Sequence, residues 1–171
     1  WDPGDDSGPN GNILVPTITP QSSGLHSLCP SDTVDWYRID MVAGHFYHFD
    51  SVGGYGNVVA YLYSDAGGIT QGATDDDSGA YEQFSLDYTA VATQTYYLKL
   101  RHFSGSGDWR GTVIFYKIAP DAWDPADNAG PGGTVLTPTG SLQSHGPHML
   151  SPGDTADWYR ISMPAGAYSH F

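Results

Sequence analysis

Aspartate dominates the ionisable chemistry of this chain, with eighteen Asp against a single glutamate, Glu82. Asp5 and Asp6, then Asp32 and Asp35, return 122 residues later as Asp127, Asn128, Asp154 and Asp157. Calcium takes about six to eight hard oxygen ligands, which carboxylates clustered from two segments supply. The exchange of Asp6 for Asn128 keeps an oxygen donor, as a metal site requires. The same residues also suit turns, where Asp accepts backbone N–H bonds without any metal. Both readings stand at this level. Asp75, Asp76 and Asp77 form a second acidic cluster, whose adjacent carboxylates repel unless solvated or bound to a cation.

Other chemistries find little support. His45 and His48 lie three apart on an expected strand, so they face opposite sides. His145 and His148 sit in a Gly/Pro loop. The repeat keeps His26 as His148 and His48 as His170, with no second nitrogen ligand beside them, which favours packing or hydrogen bonding over zinc. No H-E-x-x-H, G-x-S-x-G, P-loop or G-x-G-x-x-G is present. A glycosidase pair would need two carboxyls about 5–10 Å apart in a cleft, one of them buried. Nothing in the sequence marks a buried acid, so a non-enzymatic protein is expected, and a fragment of a secreted hydrolase is the least favoured reading.

The elements that must carry these residues come in repeated form. Trp1-Asp2-Pro3 returns as Trp123-Asp124-Pro125, and Asp32–Ile39 returns as Asp154–Ile161. Over the ungapped overlap, 28 of 49 positions are identical. A unit of about 120 residues is a domain rather than a solenoid repeat. The expected organisation is one complete module, 1–122, and the start of a second, 123–171, cut from a longer array. Gly, Asp, Thr, Ser, Pro, Tyr and Val suit strands and tight turns, whereas the usual helix formers are scarce.

Strands are expected at Ile13–Thr19 (an edge, because of Pro16), Asp35–Val42, His45–Asp50, Asn57–Ser64, Glu82–Thr89, Thr95–Phe103 and Trp109–Ile118. Ala43-Gly44 is read as the turn of a hairpin joining the second and third, and Gly105–Asp108 as the turn between the last two. Seven or eight strands with regular turn signals predict an all-β, antiparallel β-sandwich or jelly roll. The second copy offers about three strands, whose apolar residues Tyr159, Ile161, Met163 and Phe171 lack an opposing sheet.

A net charge of −13 argues against nucleic acid and against anionic membrane surfaces, and favours calcium or solubility. No apolar run approaches the ~20 residues of a membrane span. Cys29 has no internal partner and becomes Ser151 in the repeat, so it reads as a small buried hydrophobe. Asp-rich, Lys-poor, Trp/Tyr-rich β modules in series point to an extracellular or cell-surface setting of bacterial type.

Ordered along the chain, these residues resemble the bacterial pre-peptidase C-terminal domain family. The resemblance rests on Asp32–Tyr37 leading to Ala43-Gly44, on Leu62-Tyr63-Ser64-Asp65-Ala66-Gly67-Gly68, on Asp75–Asp77, on Tyr96–Leu100 and on Gly105–Gly107. It spans 1–118 and the second copy. It implies a β-sandwich jelly roll with a non-catalytic role of binding, spacing or stabilisation outside the cell. Relatives include the collagen-binding domains of bacterial collagenases, some of which bind calcium at the N-terminal linker. Asp32 and Asp35 match ligand positions there, but the linker glutamates of those relatives are missing here.

Two functional expectations follow. One is an accessory module that grips an extracellular polymer, protein fibre or polysaccharide, and would gather exposed aromatics such as Tyr55, Tyr61, Tyr81 and Trp109 on one sheet face. The other is a protomer of a surface fibre or stalk, joined to neighbouring repeats or copies of itself, with aromatics buried at the joints. Trp36/Trp158 and Tyr37/Tyr159 recur and read as core or inter-sheet packing. Trp1 and Trp123 are placed as plugs at the module joints, and Thr17 and Thr139, each beside a proline, as acceptors of O-glycans.

Overall fold

The computed structural model describes residues 7–105, 107–120, 133–139, 141, 150, 155–163 and 165–166. The chain divides into two compact units, Trp1–Ala119 and Pro120–Phe171. Among the described residues the first unit carries nine strands: β1 Asn12–Leu14, β2 Gln21–Leu28, β3 Val34–Met41, β4 Phe46–Tyr55, β5 Val58–Tyr63, β6 Gln71–Asp75, β7 Ser85–Thr89, β8 Gln94–His102 and β9 Trp109–Ile118. They form two sheets, β1-β3-β8-β5-β6 and β2-β9-β4-β7. All neighbours run antiparallel except β1, which lies parallel to β3. The fold is an all-β sandwich.

Period-two alternation builds the core. Tyr37, Ile39 and Met41 of β3, Tyr96, Leu98 and Leu100 of β8, and Val58, Ala60 and Leu62 of β5 turn inward from the first sheet. Tyr47 and Phe49 of β4, Leu86 of β7, and Trp109, Val113 and Phe115 of β9 meet them from the second. Each fully buried large apolar side chain contributes about 1.5–3 kcal/mol, an upper bound because the unfolded chain is itself partly compact.

One buried polar cluster interrupts this core. Gln83 Oε1 accepts bonds from the Ser51 hydroxyl and from Trp109 Nε1 (3.1 Å), while Gln83 Nε2 donates to the Gly56 carbonyl (2.8 Å). Gln83 is anchored directly beside Tyr81 and Glu82, the non-glycine residues held at positive φ, 59° and 58°. Its three bonds offset the cost of that backbone conformation.

The strand expectations need four corrections. Asp35–Val42 and His45–Asp50 do not form a hairpin: β3 pairs with β1 and β8, whereas β4 pairs with β9 and β7. The Ala43-Gly44 turn, with Gly44 at φ 82°, crosses between sheets, because the apolar faces of the two strands must oppose each other. The chain from β8 to β9 crosses in the same way. The run Ile13–Thr19 splits at Pro16, which cannot donate to a ladder. Its first part joins the five-stranded sheet, and the Thr17 carbonyl accepts from Lys117 N of the other (2.9 Å). Strands β2 and β6 were not expected: Gln21–Leu28 is polar and broken by a bulge at Gly24, and Gln71–Asp75 is a half-exposed edge.

In the second unit, β10 (Thr134–Leu136) and β11 (Tyr159–Ile161) pair in parallel. Their register, Thr134 on Tyr159 through Leu136 on Ile161, is that of β1 on β3 moved by 122 residues. Two strands are found among the described residues, and residues 167–171, where the third is expected, lie outside them. Tyr159, Ile161 and Met163 are 39%, 36% and 46% exposed, whereas their counterparts Tyr37, Ile39 and Met41 are at most 1% exposed. Phe171 lies outside the described residues.

Candidate functional site

Consecutive residues of β3 part to opposite faces. Tyr37 enters the core, and Trp36, although 7% exposed, lies on the outer side of the five-stranded sheet. A linker and a loop cover it there. A Cβ on Gly11 would stand 2.8 Å from the Trp36 backbone carbon, and one on Gly68 would stand 2.9 Å from the Trp36 ring, so both approaches need glycine. Arg38, next on the same face, donates from Nε to the Gly11 carbonyl (3.1 Å). The second unit repeats the device, with Arg160 Nε donating to the Gly133 carbonyl (3.1 Å). The Trp-Tyr pair therefore divides its work: Tyr37 is core, whereas Trp36 fastens the linker.

The registers of β3, β8 and β5 order the outer face into rows. Trp36, Lys99 and Tyr61 form one, Arg38, Tyr97 and Tyr63 the next, and Val34, Arg101 and Val59 the third. Strands lie about 4.8 Å apart and alternate residues about 7 Å apart along each strand, so the rings and cations stand side by side. Lys99 Nζ sits 5.3 Å from the Trp36 ring centre. The Arg101 guanidinium sits 5.4 Å from that of Tyr61 and donates to its hydroxyl from Nε (3.2 Å) and Nη2 (3.0 Å). Trp36 and Tyr63 pack at 5.7 Å, and Tyr61 stacks on Tyr63 at 6.3 Å. Burial, and then the positive charge of Arg101, hold the Lys99 ammonium below its ordinary value. Arg38, Lys99 and Arg101 are three of the six Lys and Arg in the whole chain.

Of the aspartates expected to bind metal, Asp32 and Asp35 are described in the first unit, and both are buried, at 7% and 3% exposed. Asp32 closes a tight turn with Cys29 (Cys29 N to Asp32 O 2.7 Å, Asp32 N to Cys29 O 2.9 Å). Asp35 lies 3.8 Å from Nδ1 of buried His26, which stands edge-on to Tyr37. Because β1 runs parallel to β3, the segment before Asn12 leads toward the end of β3 that holds these two acids. Asp157 of the second unit is half-buried. Asp5, Asp6, Asp127, Asn128 and Asp154 lie outside the described residues, as do Trp1 and Trp123. Among the described residues no three His, Cys, Asp or Glu side chains gather as a metal site.

The second acidic cluster separates. Asp75 ends β6 and accepts from Ser85 N (2.7 Å) and Ser78 N (3.3 Å), tying β6 to β7. Asp76 is held above its ordinary value by partial desolvation and by the charges of Asp77 and Asp75. Thr17 is exposed, its hydroxyl donating to the Thr19 carbonyl (2.9 Å), and exposed Thr139 does the same toward Ser141 (3.3 Å). Among the surface aromatics, Trp109 is fully buried, Tyr61 belongs to the outer-face rows, and Tyr55 (61% exposed) and Tyr81 (95%) stand at loop tips.

Sequence reasoning missed two features. Tyr97, Lys99 and Arg101 alternate along β8, a signal visible in the sequence once the inward partners Leu98 and Leu100 are recognised. The other feature is on the opposite sheet, where His48 donates or accepts at both ring nitrogens, Nδ1 to Asp87 (2.6 Å) and Nε2 to Asp50 (3.0 Å), with Tyr116 packed at 4.8 Å. These partners come from β4, β7 and β9, which no local pattern joins.

Comparison with known proteins gives similarity in structure alone. No family model matches the chain, and no curated protein matches it. The pre-peptidase C-terminal domain of a collagenase from Bacillus anthracis shares 18% identity over 63% of this chain and 94% of its own, with a TM-score of 0.44. A periplasmic inhibitor of g-type lysozyme from Aeromonas hydrophila shares 11% over 63% and 99%, with a TM-score of 0.46. Its Salmonella Typhimurium namesake shares 16% over 63% and 100%, at 0.37. With every TM-score below 0.5, none of these transfers a function to this chain.

The His48 cluster sets a pH dependence. Burial lowers the imidazole pKa, but the bonds to Asp87 and Asp50 outweigh it and leave the pKa raised above 6.5. A folded-state pKa above the unfolded one means that this contribution to stability is complete below about pH 6.5 and is lost as pH rises through the folded value. Urea midpoints of the wild type should therefore fall from pH 6 toward pH 8, and His48→Gln should flatten that slope. An unchanged slope would show that the cluster does not couple to folding.

Proposed function

We propose that this chain is a non-catalytic extracellular module of the pre-peptidase C-terminal type, present in tandem, that binds an extended polymer through the outer face of its five-stranded sheet. The observation that carries this reading is the partly exposed group of Tyr61, Tyr97, Lys99 and Arg101 on the outer face, seated on buried Trp36 and Tyr63. Aromatics concentrated on one sheet face suit an extended ligand better than a joint between modules, because neighbouring rings can stack on successive units of a polymer. No helix among the described residues is long and apolar enough to cross a membrane. Full-length protein should co-sediment with an insoluble polysaccharide or fibrous protein. The double variant Tyr61→Ala/Tyr97→Ala should stay in solution while melting within a few degrees of the wild type. Retained binding by a folded double variant would refute this assignment of the face.

Calcium belongs to this reading as a stabiliser of the linker. Asp32 and Asp35 supply hard oxygens withdrawn from water, and Asp5 and Asp6 precede the segment that leads toward them. Asp127, Asn128, Asp154 and Asp157 would serve the second unit. A cation that binds only the folded state adds about 2.7 kcal/mol at 100 times its dissociation constant. The thermal midpoint should then rise by several degrees in calcium over excess chelator, and Asp35→Asn should abolish the rise. Equal midpoints in both solutions would reduce the aspartates to turn residues.

A protomer of a surface fibre or stalk is the second reading. It is favoured by the exposed Tyr159, Ile161 and Met163 of the second unit, alternate residues forming an apolar strip suited to a neighbouring repeat or copy.

A further inference from the structure

Resting on the polymer-binding reading, we infer that the ligand of the outer face is an acidic polysaccharide, its carboxylates meeting Lys99 and Arg101 while its sugar rings lie on Tyr61 and Tyr97. The argument begins with charge. In a chain of net charge −13, half of the Lys and Arg stand on two adjacent strands, β3 and β8, of one sheet face. Among the described residues none of these three cations has a carboxylate within 4 Å, although acids outnumber bases roughly threefold over the whole sequence. Arg38 is occupied by the Gly11 carbonyl. Lys99 and Arg101 instead rest on aromatic rings, two positions apart on one strand, with like charges facing the same solvent. An anion placed across them relieves that repulsion, and a neutral ligand would not.

The surroundings choose the class of anion. Backbone groups of β3, β8 and β5 are paired within the sheet, so the face offers no main-chain edge to an extended peptide, which would need strand addition at a border. Half-exposed Tyr61 and Tyr97 present ring surface instead, matching the apolar faces of pyranose rings. The acids on the borders limit where the anion sits. Asp40 lies at the far end of β3, bonded to the Thr95 hydroxyl (2.6 Å). Asp65 turns its carboxylate into its own loop, accepting from Gly67 N (2.9 Å), Ile69 N (3.2 Å) and Thr70 N. At the Arg101 end Asp75 closes β6 opposite Ala60 and accepts from Ser85 N and Ser78 N, with Asp76 and Asp77 following it, so the positive ground is confined to the Lys99–Arg101 pair on β8.

Binding of the full chain to short galacturonate oligomers, to their neutral methyl esters and to an aspartate oligomer tests this by calorimetry. The acid form should bind about ten-fold more tightly than the ester. That advantage should shrink as salt rises from about 0.02 to 0.5 M, where screening is strong. Lys99→Gln and Arg101→Gln should each erase most of the preference for the acid over the ester. Equal binding of acid and ester overturns the charge inference but leaves the polymer reading standing. Equal or tighter binding of the aspartate oligomer overturns the assignment to polysaccharide. Binding of none of the three overturns the inference, and the polymer reading then stands or falls by the sedimentation result.

Discussion

Strand β3 is covered on both faces at Trp36 and Tyr37, and most of the first unit depends on that constraint. Inside, Tyr37, Ile39 and Met41 require a second sheet to exclude water. Outside, Trp36 requires the linker at Gly11 and the loop at Gly68 to lie against it, with Arg38 holding the linker by its carbonyl. One octapeptide thus sets the sandwich, the path of the linker and the base of the aromatic group. This double duty accounts for the survival of Asp-Trp-Tyr-Arg-Ile unchanged in the second unit, where the Arg160 bond and the parallel pair are rebuilt.

Charge is divided just as unevenly. The acids serve turns and strand ends wherever their partners are visible: Asp75 joins β6 to β7, Asp65 closes its loop, and Asp50 and Asp87 clamp His48. Lys99 and Arg101 are held on rings, and Arg38 and Arg160 on backbone carbonyls, instead of on carboxylates. A protein needing only solubility could scatter Lys and Arg among its eighteen Asp at little energetic cost. Lys99 over Trp36 and Arg101 over Tyr61 place two unpaired cations side by side on one sheet face.

Much of this was legible in the sequence, for identifiable reasons. Alternation in Asp35–Val42 and the long run Trp109–Ile118 located β3 and β9 because each has one continuous apolar face. The repeat separated residues that must be kept from those that need not, and so singled out Trp36, Tyr37, Asp32 and Asp35. Sheet membership was not legible. A short turn such as Ala43-Gly44 is compatible with a hairpin or with a crossing between sheets, and only the pairing of β4 with β9, more than sixty residues away, decides it. Polar β2 escaped notice because its pairing to β9, and not its own pattern, makes it a strand. The rings that Lys99 and Arg101 meet likewise depend on β8 lying between β3 and β5, which local periodicity does not reveal.

The most direct measurement is amide chemical-shift mapping of the full chain titrated with short galacturonate oligomers. The account predicts the largest, saturable shifts at Tyr61, Tyr97, Lys99 and Arg101, fading toward Asp40. Shifts centred on His48 and Tyr116 of the other sheet, or on the loop tips at Tyr55 and Tyr81, would contradict it, as would an unperturbed spectrum.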